Sequence, residues 1–378
     1  MGAIDAVLVD DGGDFVFEGA IRVGEARAIW TWLSRDAAAD LIAPLAAADE
    51  AKGAAAVAAL APELLVRARA AIEAAGGERD AERRLLGQLG GSEVRQRLPV
   101  VLNALRCAPL LEKAKAFGRA INALQEDDAL VAALQSMPRQ DTGVAALLMV
   151  AAVGQVAAPA RLIVTATRIA GGASETALLR DGFGPLVDAF LAHAQNAIPP
   201  LRQAGAFVDV DLACRAIERF HRLVRSISAN LELTRQSRLS TTIAALTKTV
   251  SDKIEPKLRD IIPDINQSMR RPREGADRLD SDGLLAALNG FYLLATVRDC
   301  RDSLALNEVF DDTWNRAGQA LEQHLTRNME LLRGNPGDRI IAARVDAGIK
   351  MGEVRFGTEY AEVLRRARDG LERRSSLG

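Results

Sequence analysis

Residues 143–160 are almost purely apolar, broken only by Gln155, and any fold of this chain must either bury that run or place it in lipid. About 18 consecutive apolar residues is the usual threshold for a membrane-spanning helix. Three features argue for burial instead. Gln155 interrupts the run, Pro159 breaks or kinks a helix there, and Arg161 follows at once, while most of the residues are alanine and glycine, which drive insertion weakly. The reading adopted is a buried central helix within a bundle, with Pro159 dividing residues 142–170 into two arms. A helix that is apolar all round belongs among other helices.

The rest of the composition fits that reading. Hydrophobic residues make up 49% of the 378 and charged residues 26%, which excludes a wholly disordered chain, and the length allows two or three cores. Aromatic residues are only 4%, so much of the apolar total is alanine, the best helix former and a small one. Closely packed helices are therefore expected, not a sandwich of β-branched strands. The fold class read from this is all-α: antiparallel helical bundles of about ten helices, with a short N-terminal β-hairpin. Arginine far outnumbers lysine, as in chains from GC-rich bacterial genomes. A formal net charge of −2 makes nucleic acid an unfavourable partner. Three widely spaced cysteines, Cys107, Cys214 and Cys300, provide neither a disulfide framework nor a Cys-x-x-Cys metal site. Residues 1–18 carry five acids and no base, the reverse of an export signal, so a cytoplasmic location is expected, with membrane-peripheral placement as the variant.

Four regions are expected along the chain. Residues 1–22 form a hairpin or arm, in which Ala6 to Val9 and Phe15 to Phe17 flank Asp10-Asp-Gly-Gly. Residues 23–205 form an alanine-rich bundle, with Trp30 anchoring the first helix and Trp32 off its stripe. Helices are expected at about 50–75, 92–106, 109–135, 142–170 and 174–204, separated by Gly and Pro connectors, with Ser92 and Ser174 as N-caps. Residues 206–334 form a long-helix bundle. One stripe there comprises Leu212, Ala216, Phe220, Leu223, Ile227 and Leu231, and the next runs from Leu239 to Ile265. The second advances about 3.7 residues per step, nearer a straight helix than a coiled coil, and Pro256 and Pro263 should kink or end it. Residues 267–282 read as an exposed mobile loop, and Ser281-Asp282 as the cap of a helix beginning near Leu284, with Phe291, Phe310 and Trp314 directed inward. Residues 335–378 form a C-terminal helical hairpin.

Chemistry is sparse. Gly87 to Ser92 lacks the lysine of a phosphate loop and follows no strand, so it reads as a connector. Asp280-Ser-Asp-Gly283 imitates the middle of a calcium loop, but Arg278 and Asn289 would occupy two carboxylate positions, which favours capping. Cys214, Glu218 and His221 are spaced to share one helix face and could hold a metal or an activated thiolate. No second ligand cluster accompanies them, and a structural role is preferred. Cys300, between Arg298 and Arg301, reads as a half-buried structural thiol. No catalytic residue, cofactor or metal is assigned.

Two basic stretches remain. Residues 235–273 carry nine basic against four acidic residues, and residues 365–374 carry five arginines against two acids. From them Arg235, Arg238, Arg270, Arg271, Arg273, Arg365, Arg366 and Arg368 are the candidate residues for gripping an acidic partner or an anionic surface. The preferred function is a non-enzymatic cytoplasmic bacterial scaffold or adaptor that binds protein partners, including a second copy of itself. The alternative is a peripheral membrane protein that meets anionic lipid through these arginines. An enzyme with an unrecognised helical active site is the third reading.

Overall fold

A computed structural model describes residues 2–47, 50–202, 209–270 and 278–375. The chain is all-α. Seventeen α-helical segments and a parallel pair of two-residue strands occur among the described residues, more helices than the ten expected. The excess arises where long expected helices are broken. Residues 109–135 divide into Ala108–Ile121 and Asp127–Gln135, residues 174–204 into Glu175–Arg180, Gly184–Gln195 and a 3-10 turn at Pro199–Arg202, and Arg79–Leu89 is an additional helix. The helices Glu50–Ala75 and Ser92–Arg106 have the expected bounds.

The chain divides into two compact units, Met1–Asn196 with Arg222–Ile243, and Ala197–His221 with Ala244–Gly378. The boundary expected near residue 205 lies outside the described residues. The second unit includes the C-terminal hairpin, because Arg339–Phe356 packs along Asn307–Gly334 and Ser281–Cys300.

In the first unit the apolar run supplies the central helix, Thr142–Val153. Asp141 caps it, its carboxylate accepting from the Val144 N–H at 3.1 Å, and every residue from Val144 to Val153 is buried. It packs against Ala108–Ile121 on one side and Gly184–Gln195 on another. Pro159 opens the second arm, Pro159–Ala170, at a position where a missing N–H costs nothing. That arm is amphipathic, with Leu162, Ile163 and Ala166 buried and Val164 exposed. No described helix is long and apolar enough to cross a membrane.

The N-terminal hairpin is corrected. Leu8–Val9 pairs in parallel with Ile21–Arg22, and Phe15 to Phe17 belong to no strand. Besides turns at Asp11-Gly12 and Glu18-Gly19, the connecting segment is held by side chains. The Gln195 amide accepts from the Phe15 N–H at 3.0 Å and donates to the Phe15 carbonyl at 2.9 Å, and Asn196 Oδ1 accepts from the Asp10 N–H at 2.9 Å. Glu25 joins the arm to the helices by accepting from the Arg22 N–H and pairing with Arg97, each at 3.2 Å. Gln195→Met should cost about 1–3 kcal/mol, since it strands two polar groups of Phe15. Denaturant unfolding together with faster amide exchange at Phe15 would show it; unchanged exchange would mean that the arm is held elsewhere.

The first helix, Val23–Trp32, buries Ala26, Ile29 and Trp32, while Trp30 sits at the half-buried edge, the reverse of the expected roles. Its stripe is centred on Ile29, and the next buried positions are Trp32 and Leu33. Ser174 caps as expected, accepting from the Ala177 N–H at 3.2 Å, whereas Gly91, not Ser92, occupies the other cap position.

The helix Arg238–Ser268 runs unbroken through Pro256 and Pro263. Both prolines lie on its exposed side, where water can take the carbonyls left without a donor, while Leu246, Val250, Ile254, Leu258, Ile261 and Ile265 are buried opposite. On Val210–Asn230, Leu212 is exposed and Ala213 is buried in its place. In the second unit, buried Asn328 donates to the carbonyls of Met269 (3.0 Å) and His324 (2.9 Å). Ser251 Oγ accepts from the Ala305 N–H at 2.9 Å and so fixes the turn before Asn307–Gly334.

Candidate functional site

The candidate arginines are divided between the two units. Arg235 and Arg238 belong to the first unit, and Arg270, Arg365, Arg366 and Arg368 to the second. Arg271 and Arg273 lie outside the described residues, as does the middle of the expected loop. Arg238 is ion-paired with Asp188, Arg365 with Glu353, and Arg368 with Asp346 at 2.9 Å. Arg366 is exposed, and its Nε donates to the Glu362 carbonyl of its own helix at 3.3 Å.

Arg270 acts on a neighbour. Burial first, then the charges of Arg327 and Arg270, hold the His324 imidazole below its ordinary value of 6.5. Its Nε2 lies 2.9 Å from Asn266 Oδ1. A depressed folded-state value means that the unfolded chain takes up the proton first. The contribution of His324 to stability is therefore fully present above pH 6.5 and is lost as pH falls through the depressed folded-state value. His324→Gln should accordingly flatten the acid side of the stability–pH curve. Equal slopes for variant and parent below pH 6.5 would refute that assignment.

Within the Cys214, Glu218 and His221 line, Glu218 acts on the Cys214 thiol, while Cys214 and His221 have different hydrogen-bond partners. The Cys214 thiol is pushed up by burial and hydrogen-bonds to Thr296, and the His221 Nδ1 lies 3.0 Å from Ser303 Oγ. A thiol held protonated is a poor nucleophile. Among the described residues, no group of three or more His, Cys, Asp or Glu side chains is placed to hold a metal ion. Asp280 works as a helix cap, its carboxylate accepting from the Gly283 N–H at 2.9 Å; the cap is thus one residue earlier than expected. Cys300 is buried rather than half-buried.

A grouping of arginines and aromatic rings joins residues that the sequence does not connect. It lies in the second unit, where Ser281–Cys300, Asn307–Gly334, Arg339–Phe356 and Thr358–Ser375 bring arginines onto aromatic rings. The Arg355 guanidinium lies 4.2 Å from the Trp314 ring centre and 4.9 Å from that of Phe356, and its Nε donates to the Trp314 carbonyl at 3.2 Å. Arg298 approaches Trp314 to 5.3 Å and Arg301 approaches Phe310 to 5.6 Å. Phe310 stacks on Trp314, and Phe356 meets Tyr360 at 4.7 Å. Phe310 is buried as expected, but Trp314 is only half-buried, because the arginines cover it in place of apolar core. Cation–ring contacts hold long side chains in fixed positions. Burial, opposed by Glu322 and reinforced by Arg298, lowers the Arg355 value, and burial raises that of Tyr360. The available sequence signals were Phe310 and Trp314 at four-residue spacing and Arg355 beside Phe356, but nothing in the sequence joins the two.

No protein-family model, curated protein or solved structure matches this chain.

Proposed function

We propose that the protein is a non-enzymatic helical scaffold or adaptor of the bacterial cytoplasm, its helices set as antiparallel bundles, which docks a protein partner on the Arg–aromatic face around Trp314 and Arg355. The observation that carries this reading is the composition and fixed geometry of that face. Tryptophan, tyrosine and arginine are the residues on which binding energy concentrates at protein interfaces, and here they are gathered in a chain whose aromatic content is only 4%. Three acids, Asp299, Asp311 and Glu322, lie near the arginines, so the face is close to neutral and suited to a mixed polar and apolar protein surface more than to a polyanion. An anionic-lipid role has less support, because Arg238, Arg365 and Arg368 are engaged by acidic groups without the aromatic rings that accompany the equally paired Arg298 and Arg301.

The test uses the full chain, tagged in its own cells, with crosslinking mass spectrometry. A partner should crosslink to this face and be lost, by about 30-fold in affinity, when Arg298 and Arg301 are both changed to Ala. Both side chains are exposed, so the melting temperature should stay within a degree or two of the parent. A partner that binds parent and double variant equally would remove the reading.

A further inference from the structure

Within the second unit, a cleft of about 510 Å³ opens between the start of Val210–Asn230, the later half of Arg238–Ser268 and the start of Ser281–Cys300. That volume lies in the range of small-molecule sites, roughly 300–1,000 Å³. Its accessible apolar lining comes from Val210, Pro263 and Ala286, with Ala213, Ile261 and Leu293 buried. The opposite chemistry comes from two helices. Asp260 and Asp264, four residues apart, share one face of the long helix, and Asp280 and Asp282 stand at the start of the next, with Lys257 the one cation among the described lining residues.

These carboxylates are not equivalent. Asp280 is committed to its helix cap, and Asp260 attracts Lys257. Asp264 has no ion pair among the described residues. Its carboxyl is pushed upward by burial, then by the negative charges of Asp260 and Asp280. Two elements of the fold thus set like charges around one half-buried acid at the edge of an apolar lining, an arrangement that a cation entering the cleft would relieve. A bare divalent ion is a poor match: it needs six or more oxygen ligands, the described residues hold no such group, and an ion would leave the lining bare.

The geometry points to a binding site for a small organic ammonium compound, its charge beside Asp264 and its apolar body against Val210, Pro263 and Ala286. The site is separate in its residues from the Arg–aromatic docking face, and either can fail without the other.

Calorimetric titration of the full-length protein at physiological salt tests it, with 4-phenylbutylamine as the probe. The amine should bind one to one, and Asp264→Asn should weaken it about tenfold, the loss of one charge-assisted contact. Ala286→Phe, which fills the cleft without touching a charge, should weaken it as much and covers the case in which the aspartate variant does not fold. 4-Phenylbutan-1-ol, of the same shape without the charge, should bind at least tenfold more weakly than the amine. Equal binding of amine and alcohol, indifference of both variants, displacement of the amine by stoichiometric calcium, or no saturable binding in the millimolar range would each overturn the site.

Discussion

Gly19→Ala is expected to cost more than about 2 kcal/mol in denaturant unfolding, and Gly118→Ala about as much, although each adds a single methyl group. Gly19 has φ +79°, a left-handed conformation that costs an alanine about 1 kcal/mol before any contact is counted. Its new Cβ would also stand 2.3 Å from the Ala146 carbonyl carbon and 2.4 Å from its oxygen. At Gly118 the Cβ would fall 2.2 Å from the Ala152 oxygen. Both obstacles are backbone atoms of Thr142–Val153, which cannot rotate away as a side chain can. Either the arm or the helix Ala108–Ile121 must lift off the central helix, and close-packed interiors resist such displacement. Gly87 supplies the control. It is helical with nothing within 4 Å of its would-be Cβ, so Gly87→Ala should stabilise by about 0.5–1 kcal/mol. Losses below about 1 kcal/mol at both Gly19 and Gly118 would mean that neither segment lies against the central helix as described.

That dependence shows which parts of the fold were open to sequence reading. Periodicity finds faces, so the stripe from Leu246 to Ile265 and the helices Glu50–Ala75 and Ser92–Arg106 could be read directly. The same stripe leaves Pro256 and Pro263 off the buried face, but it does not show that a helix can continue through a proline on its exposed side, as Arg238–Ser268 does. Nor does it reveal a partner far along the chain. The segment from Asp10 to Phe17 resembles the turn and second strand of a hairpin because Asp10-Asp-Gly-Gly favours a turn and Phe15-Val-Phe a strand, yet its conformation is set by Gln195 and Asn196, about 180 positions away.

The candidate sites followed the same division. Runs of arginine are visible in the sequence, but their pairing is not: Arg238 meets Asp188 and Arg368 meets Asp346 through tertiary packing, and only that packing distinguishes a committed guanidinium from an available one. The Arg355 and Trp314 contact joins positions 41 residues apart on two helices that happen to cross there. The cleft was hidden for a similar reason. Asp260 and Asp264 fall within the basic stretch of residues 235–273, and nothing in the sequence indicates that the start of Ser281–Cys300 brings the Asp280 charge near Asp264.

Met149→Lys is expected to be the most damaging single change, above about 4 kcal/mol and accompanied by aggregation on expression, whereas Val164→Lys should stay within about 0.5 kcal/mol. Met149 is 0% exposed in a helix with no solvent-facing side, while Val164 is 49% exposed on the second arm. A lysine at position 149 must either keep its charge in an apolar interior or give up its proton, and both cost several kcal/mol. Soluble expression and denaturant midpoints of the two variants measure the difference. The contrast also decides what the apolar run is for. Hydropathy treats residues 143–160 as one stretch, but the helix within it spans Thr142–Val153, twelve residues or about 18 Å, well short of the roughly 30 Å of a bilayer core. If Met149→Lys left stability within about 1 kcal/mol of the parent, the helix would have to be open to solvent, and the membrane-facing alternative would regain the ground that burial now denies it.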